Sequence, residues 1–148
     1  MSSEEARTWL PATMEAYIAQ RVLSGEEPDA ARRQADTQLE QIAPNSMPTS
    51  DHHFFWQVDG DDVVGALWLG APSDQARATW FVYFVVVHEP FRGRGYGRAA
   101  MLAAEQWSME HDGQYLALNV FGHNHVARSL YDSLGFAPMA TLMRKALS

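Results

Sequence analysis

Arg92-Gly93-Arg94-Gly95-Tyr96-Gly97-Arg98 is the part of this chain whose residue types and spacing could do chemistry. Glycines at three alternate positions let a backbone turn sharply and approach a ligand closely. The interleaved arginines add positive charge at the same place. Just before them, Val82 to Val87 is an almost wholly apolar, β-branched run, the pattern of a strand covered on both faces. Pro90 stops that strand, since proline cannot donate to a central ladder. Alanine-rich sequence from Arg98 onward favours a helix. Strand, glycine turn and helix N-terminus in succession offer unpaired N–H groups and the positive end of a helix dipole. The physical reading is a cradle for a diphosphate.

Spacing narrows the choice of ligand. A P-loop needs Gly-x-x-x-x-Gly-Lys-Ser/Thr, and the only lysine is Lys145, far downstream. A dinucleotide fold needs Gly-x-Gly-x-x-Gly, whereas these glycines alternate. What fits is Arg-x-x-Gly-x-Gly, met by Arg92, Gly95 and Gly97. After a turn at His111-Asp112-Gly113 comes a second apolar strand, residues 115–121, and then Asn124-x-x-Ala127-x-x-Leu130-Tyr131-x-x-x-Gly135-Phe136. Ala127, Leu130, Tyr131 and Leu134 recur at helical spacing, and Gly135 suits a helix C-cap. The first motif resembles the acetyl-CoA-binding motif of the GNAT superfamily of N-acetyltransferases. The second resembles that family's other signature, at a similar distance along the chain. The resemblance is strong over residues 80–136, weak over 54–70 and close to absent before residue 50.

The resemblance implies an α/β (α+β) fold with a mixed, mostly antiparallel central sheet flanked by helices. It also implies acetyl-CoA as co-substrate. Main-chain groups of Val85 and Val87 would bind pantetheine in a β-like manner. Backbone N–H groups of Gly93, Arg94, Gly95, Tyr96, Gly97 and Arg98 would hold the pyrophosphate, with Arg92 at the motif's basic position. Asn124, Ala127 and Tyr131 would lie along the pantetheine and the thioester. Tyr131 would be the general acid that protonates the leaving CoA thiolate. A thiol pKa of ~8.5 already makes that thiolate a fair leaving group, so losing Tyr131 slows turnover rather than abolishing it. The bland reading of Tyr131 is a core aromatic on a helix stripe.

The acceptor side is harder. An amine with a pKa near ~10.4 must lose a proton before it attacks a thioester. Many family members place a glutamate on the strand before the glycine loop, but Trp80-Phe81-Val82-Tyr83-Phe84-Val85 contains no carboxylate. The base is then His52, His53, His123, His125 or Glu89, or a relay through water and backbone carbonyls. Asp51-His52-His53 is the most interesting cluster, since it enters a strand. His123-x-His125 has a spacing that can ligate metal, but no third ligand is in view and no metal is expected. Trp56, Trp68, Trp80 and Tyr83 supply ring faces for cation–π contact with an acceptor, or simply core.

Composition sets the bounds. A chain of 148 residues with 47% hydrophobic content reads as one domain, 1–148, with a real core. No apolar run approaches the ~20 residues of a membrane span and no secretory pattern opens the chain, so a cytoplasmic location without membrane partners is expected. There are no cysteines, which removes a cysteine nucleophile and leaves direct transfer in a ternary complex. A net charge of −7 argues against nucleic acid as a partner and favours a cationic acceptor such as a polyamine or aminoglycoside. The run Leu118 to His125 resembles members that acetylate protein N-termini or small amines.

The remaining elements must position these residues. Ser2-x-x-Glu5 reads as a capping box, followed by an apolar stripe of Leu10, Met14, Tyr17 or Ile18, and Val22 that stops at Ser24-Gly25. A second helix starts at Pro28 and runs to about Ala43, with Ala31, Ala35, Leu39 and Ile42 on its stripe. Residues 44–52 connect it to a hairpin of strands 53–58 and 63–69 around the turn 59–62. Residues 72–77 form a polar loop before the strand at Trp80. GNAT domains usually begin with a strand, and none is legible here. The expected sheet therefore has an open edge, which favours a homodimer. The function expected is acetyl transfer from acetyl-CoA to a primary amine. The alternative is an acyl-CoA-binding sensor or interaction domain that binds without turnover. Nucleotide hydrolysis would need lysine and Mg²⁺-holding positions that the sequence lacks.

Overall fold

Ser2 caps the first helix of the computed structural model, which describes residues 1–46, 48–71 and 78–147. Its hydroxyl accepts from the Glu5 N–H at 3.1 Å while the Glu5 carboxylate accepts from the Ser2 N–H at 2.6 Å, so two orphan donors of the helix end are satisfied reciprocally. This helix, α1, spans Ser3–Leu23 and is stopped at Gly25, whose φ of 102° suits glycine alone. Pro28 opens α2 (Pro28–Ile42) at a position where a missing N–H is harmless. Ala6, Leu10, Met14 and Ile18 of α1 and Ala31, Ala35 and Ile42 of α2 are the buried stripes of the two helices. They pack with Phe54 and Trp68 into one core on one face of the sheet.

The sheet follows as β1 (His52–Asp59), β2 (Asp62–Gly70), β3 (Thr79–Val87) and β4 (Tyr115–Leu118), in that spatial order. β1, β2 and β3 are successively antiparallel, and β4 joins β3 in parallel after the crossover helix α3 (Tyr96–Glu110). A last helix, α4, spans His125–Ser133 and ends before Gly135, at φ 91°. The sheet is thus mixed and mostly antiparallel, with helices on both faces. The face opposite α1 and α2 carries a second core of Leu67, Leu69, Val82, Met101 and Ala104. Leu69 and Met101 are almost entirely shielded, each contributing roughly 1.5–3 kcal/mol by burial. Among the described residues no helix is long and apolar enough to cross a membrane.

Several expectations are corrected. β2, not β3, is the strand covered on both faces: Val64 to Gly70 are all buried, while Val82 is the one buried residue of β3. The reason is that β3 has β2 along one side but β4 beside only its first half, from Thr79 to Val82. β4 ends at Leu118 rather than at Phe121, and α3 begins at Tyr96, two residues ahead of Arg98. The hairpin turn is the two residues Gly60 and Asp61, with Asp59 already paired to Asp62. The expected polar loop at 72–77 lies outside the described residues, as does Met47 of the connector.

Candidate active site

β3 carries a bulge where the site begins. Trp68 of β2 faces Phe84 and the next residue, Leu69, faces Val82, so Tyr83 is the extra residue. A bulge bends a strand and redirects its side chains, and here Tyr83 and Phe84 both pack on the α1/α2 side. The last β3–β4 pair, Val82 with Leu118, is at the same level. Beyond it the two parallel strands part. From Phe84 to Val87, on the side away from β2, β3 pairs with no strand among the described residues. Val85 and Val87 lie in this reach, which a ligand with amide groups can join as a strand would.

The reach leads into a 3₁₀ turn, Glu89–Phe91, and then into the glycine loop. Gly93 and Gly95 take φ of 76° and 86°, and Gly95 is the N-cap of α3 with no side chain to satisfy the first-turn N–H groups. Space is open at both: a Cβ there would meet nothing within 4 Å. Unpaired donors, the positive helix end and an open approach fit a diphosphate. Gly97 is placed differently. It sits inside the first turn of α3, where a Cβ would lie 3.5 Å from Leu130 Cδ2 and 4.0 Å from Val87 Cγ2. Both distances are ordinary contacts, so a methyl group there would fill space between α3, α4 and β3 without pushing them apart.

The arginines mostly build the loop rather than reach out from it. Arg92 Nε donates to the Val87 carbonyl at 3.0 Å, tying the loop to the strand end. The Arg94 guanidinium stands 5.9 Å above the Phe91 ring, and Arg98 donates to the Ser133 hydroxyl at 2.7 Å, joining α3 to α4. Tyr96 is held from β1: its carbonyl accepts from Gln57 Nε2 at 2.9 Å and its hydroxyl donates to Asp59 at 2.5 Å. That hydrogen bond to the Asp59 carboxylate keeps the Tyr96 proton on and raises its pKa.

α4 supplies the other wall. Asn124 is its N-cap, with Oδ1 accepting from the Ala127 N–H at 3.2 Å, so both residues are already engaged in starting the helix. Tyr131 lies on the inner side of α4 against the second core, its ring 5.7 Å from Phe136. Burial raises its pKa above the ordinary 10.0, so the phenol carries its proton at neutral pH, as it would unburied. A contact the sequence did not signal closes the far end. α1 meets the loop after β4, with Gln20 Oε1 2.8 Å from His123 Nε2 and Tyr17 beside Phe121.

The candidate bases are dispersed. Strand alternation sends His52 and His53 to opposite faces, so Asp51-His52-His53 is not one cluster. His52 packs on Trp68 and Tyr83, with Nδ1 accepting from Trp68 Nε1 at 3.0 Å. His53 sits against Trp107 and Trp80 on the α3 face. Burial lowers the pKa of both. His123 is held by Gln20, His125 starts α4, and Glu89 lies exposed in the 3₁₀ turn. Trp68 is core, stacked on Phe54 and Tyr83, while Trp56 meets Trp9 and Trp80 meets Trp107. Among the described residues no three His, Cys, Asp or Glu side chains gather as a metal site.

A strand end that no strand pairs with beyond β4 among the described residues, a glycine-lined helix start after it and a half-buried tyrosine on α4 make up the candidate site. The model of the acetyltransferase (GNAT) family matches residues 10–136, and the chain belongs to that family of acyltransferases. Two Bacillus subtilis proteins named as uncharacterized N-acetyltransferases are similar along nearly all of their length. YycN is 32% identical, over 99% of this chain and 96% of its own, and YdgE is 30% identical, over 99% and 95%. The crystal structure of YycN matches with a TM-score of 0.89 at 31% identity, covering 100% of this chain and 96% of that one. The aminoglycoside N-acetyltransferase AAC(6')-Iy in complex with CoA shares the fold, with a TM-score of 0.57 at 16% identity over 78% of this chain and 87% of that one.

Proposed function

We propose that this GNAT acyltransferase moves the acetyl group of acetyl-CoA directly to a primary amine, with both substrates bound together. The observation that carries the reading is the parting of β3 from β4 at the Tyr83 bulge, directly ahead of the glycine loop. On this reading Val85 and Val87 bind pantetheine through their main chain. The N–H groups from Gly93 to Arg98 hold the pyrophosphate, and Arg92 shapes that loop through its bond to Val87. Tyr131, a phenol protonated at neutral pH, gives its proton to the CoA sulfur as the C–S bond breaks and is reprotonated from solvent, while the amine loses its own proton to water. With no cysteine in the chain, an acetyl-cysteine intermediate is ruled out. The net charge of −7 supports a small cationic acceptor or a protein N-terminus in the cytoplasm, and counts against nucleic acid and membrane as partners.

The test is CoA release from acetyl-CoA against a panel of polyamines, aminoglycosides, amino acids and N-terminal peptides, with calorimetry of acetyl-CoA binding alongside. Release with one acceptor class is the expected result and names the substrate. Binding without release across the panel favours the second reading, an acyl-CoA-binding sensor, which the lack of a carboxylate on β3 supports. No binding at all refutes both.

A further inference from the structure

The start of α3 is held from the edge of the sheet. Alternate residues of a strand share a face, and on β1 the set His53, Phe55, Gln57 and Asp59 meets α3. His53 and Phe55 pack on Trp107 in its later turns. Gln57 and Asp59 reach Tyr96, its first residue, with Gln57 Nε2 donating to the Tyr96 carbonyl at 2.9 Å. The Gln57 amide passes beside Gly65 of β2, its partner in register. A Cβ at Gly65 would collide with the Val86 carbonyl and stand 3.1 Å from Gln57 Oε1, so glycine leaves the path open. The arrangement is costly, because Oε1 is buried with no hydrogen-bond partner among the described residues. An amide that satisfies only its donor half is a poor device for stability alone.

The acceptor of that bond explains it. The Ala99 N–H closes a helical bond to the Gly95 carbonyl at 3.1 Å. The N–H groups of Tyr96, Gly97 and Arg98 come before it and have no helical acceptor. The Tyr96 carbonyl and the Gly97 N–H belong to one planar trans peptide and point in opposite directions. A donor on that carbonyl therefore fixes the aim of the Gly97 N–H and polarises the peptide toward stronger donation. We propose that Gln57 is a positioning residue of the cofactor cradle: through the Tyr96 carbonyl it orients the Gly97 N–H toward the diphosphate of acetyl-CoA. Asp59 steadies the same residue by accepting from the Tyr96 hydroxyl. This role rests on the proposed function, in which the loop holds that diphosphate.

Gln57→Met keeps the length of the side chain without its polar end. Calorimetry should show acetyl-CoA bound about threefold to tenfold more weakly, the net worth of one hydrogen bond. The urea midpoint should not fall, because the variant also removes the orphaned Oε1. Isotope-labelled glycine gives ten amide signals, and the one missing from Gly97→Ala belongs to Gly97. At saturation, acetyl-CoA should shift that signal in the unaltered chain and shift it less in Gln57→Met. Gln57→Asn, one methylene short of the Tyr96 carbonyl, should repeat the loss of affinity and serves where the methionine variant fails to fold. Unchanged affinity in a folded variant overturns the role of Gln57. So does weakened affinity with the Gly97 shift intact, which would leave Gln57 as packing. An unaltered chain that binds no acetyl-CoA refutes the proposed function itself, and that failure shows before any variant is compared.

Discussion

Gly95 and Gly97 stand two residues apart in one motif, yet alanine at each should act in opposite directions. At Gly95 the backbone has φ 86° and ψ 6°, and a Cβ would meet nothing within 4 Å. The cost of alanine is therefore purely conformational, about 1–2 kcal/mol for an L-residue in the left-handed region. Gly97 is inside α3, and its Cβ would stand 3.5 Å from Leu130 Cδ2, an ordinary contact. Removing a glycine from a helix gains about 0.5–1 kcal/mol. The two variants should differ by roughly 1.5–3 kcal/mol, or about 5–10 °C in Tm for a chain of this size. Urea unfolding followed by the fluorescence of the five tryptophans measures the difference, provided the slope m is unchanged. Acetyl-CoA affinity should separate them in the same order. Gly95→Ala redirects the first N–H groups of α3, whereas Gly97→Ala adds its methyl toward Val87 and Leu130, away from the open side of the loop. Equal stabilities would refute the backbone argument. A folded Gly97→Ala that loses acetyl-CoA would place the ligand where those two side chains now stand.

Gly95→Glu adds a carboxylate to the same strained position and should abolish acetyl-CoA binding in a folded protein, as read by calorimetry. Tyr131→Phe is expected to lower the chemical rate roughly tenfold, below the usual range for a general acid, with acetyl-CoA affinity nearly unchanged; an unaltered single-turnover rate would remove its role as acid. His52 gives a stability prediction. Burial holds its pKa below the ordinary 6.5, and its Nδ1 accepts from Trp68, so protonation would set two donors against each other. The unfolded chain then binds this proton at higher pH than the folded one. Stability is complete above about 6.5 and falls as pH drops through that value toward the folded pKa. His52→Gln should flatten part of that fall in urea midpoints, leaving the share of His53, whose pKa is lowered in the same direction.

Local chemistry made much of this fold legible. Ser2 with Glu5, Pro28 and Gly135 mark helix ends by groups that act within a turn of themselves, and the structure uses each of them so. The glycine motif was legible for the same reason, since a positive φ at Gly93 and Gly95 is a property of the residue. What the sequence hid depends on distant neighbours. The Tyr83 bulge arises from register against β2, and nothing in Trp80 to Val85 distinguishes a bulged residue from a paired one. The burial of β2 exceeds that of β3 because β4 is short, a fact settled more than thirty residues later in the chain. Gln20 and His123 meet across 103 residues. The arginines were read by charge alone, and where a guanidinium points is decided by acceptors such as the Val87 carbonyl and Ser133.

The acid and base halves of the proposed reaction have unequal support, and the reason is physical. Tyr131 is protonated at neutral pH even at the ordinary phenol pKa of 10.0, and burial against the second core only raises that value, so the acid needs placing but no tuning to hold its proton. A base must be both placed and tuned, and the usual strand position is occupied here by aromatic and aliphatic side chains. His52 and His53 point to opposite faces, each packed among rings that lower its pKa. A histidine so shielded is a weaker proton acceptor than an exposed one, and His52 has given Nδ1 to Trp68. The proposed acceptor amine is then best served by losing its proton on the open side of the site, through water, before it reaches the thioester. Its attack would depend on the fraction already neutral. An acceptor of lower pKa would react faster at a given pH, because the site contributes position and the amine its own base strength.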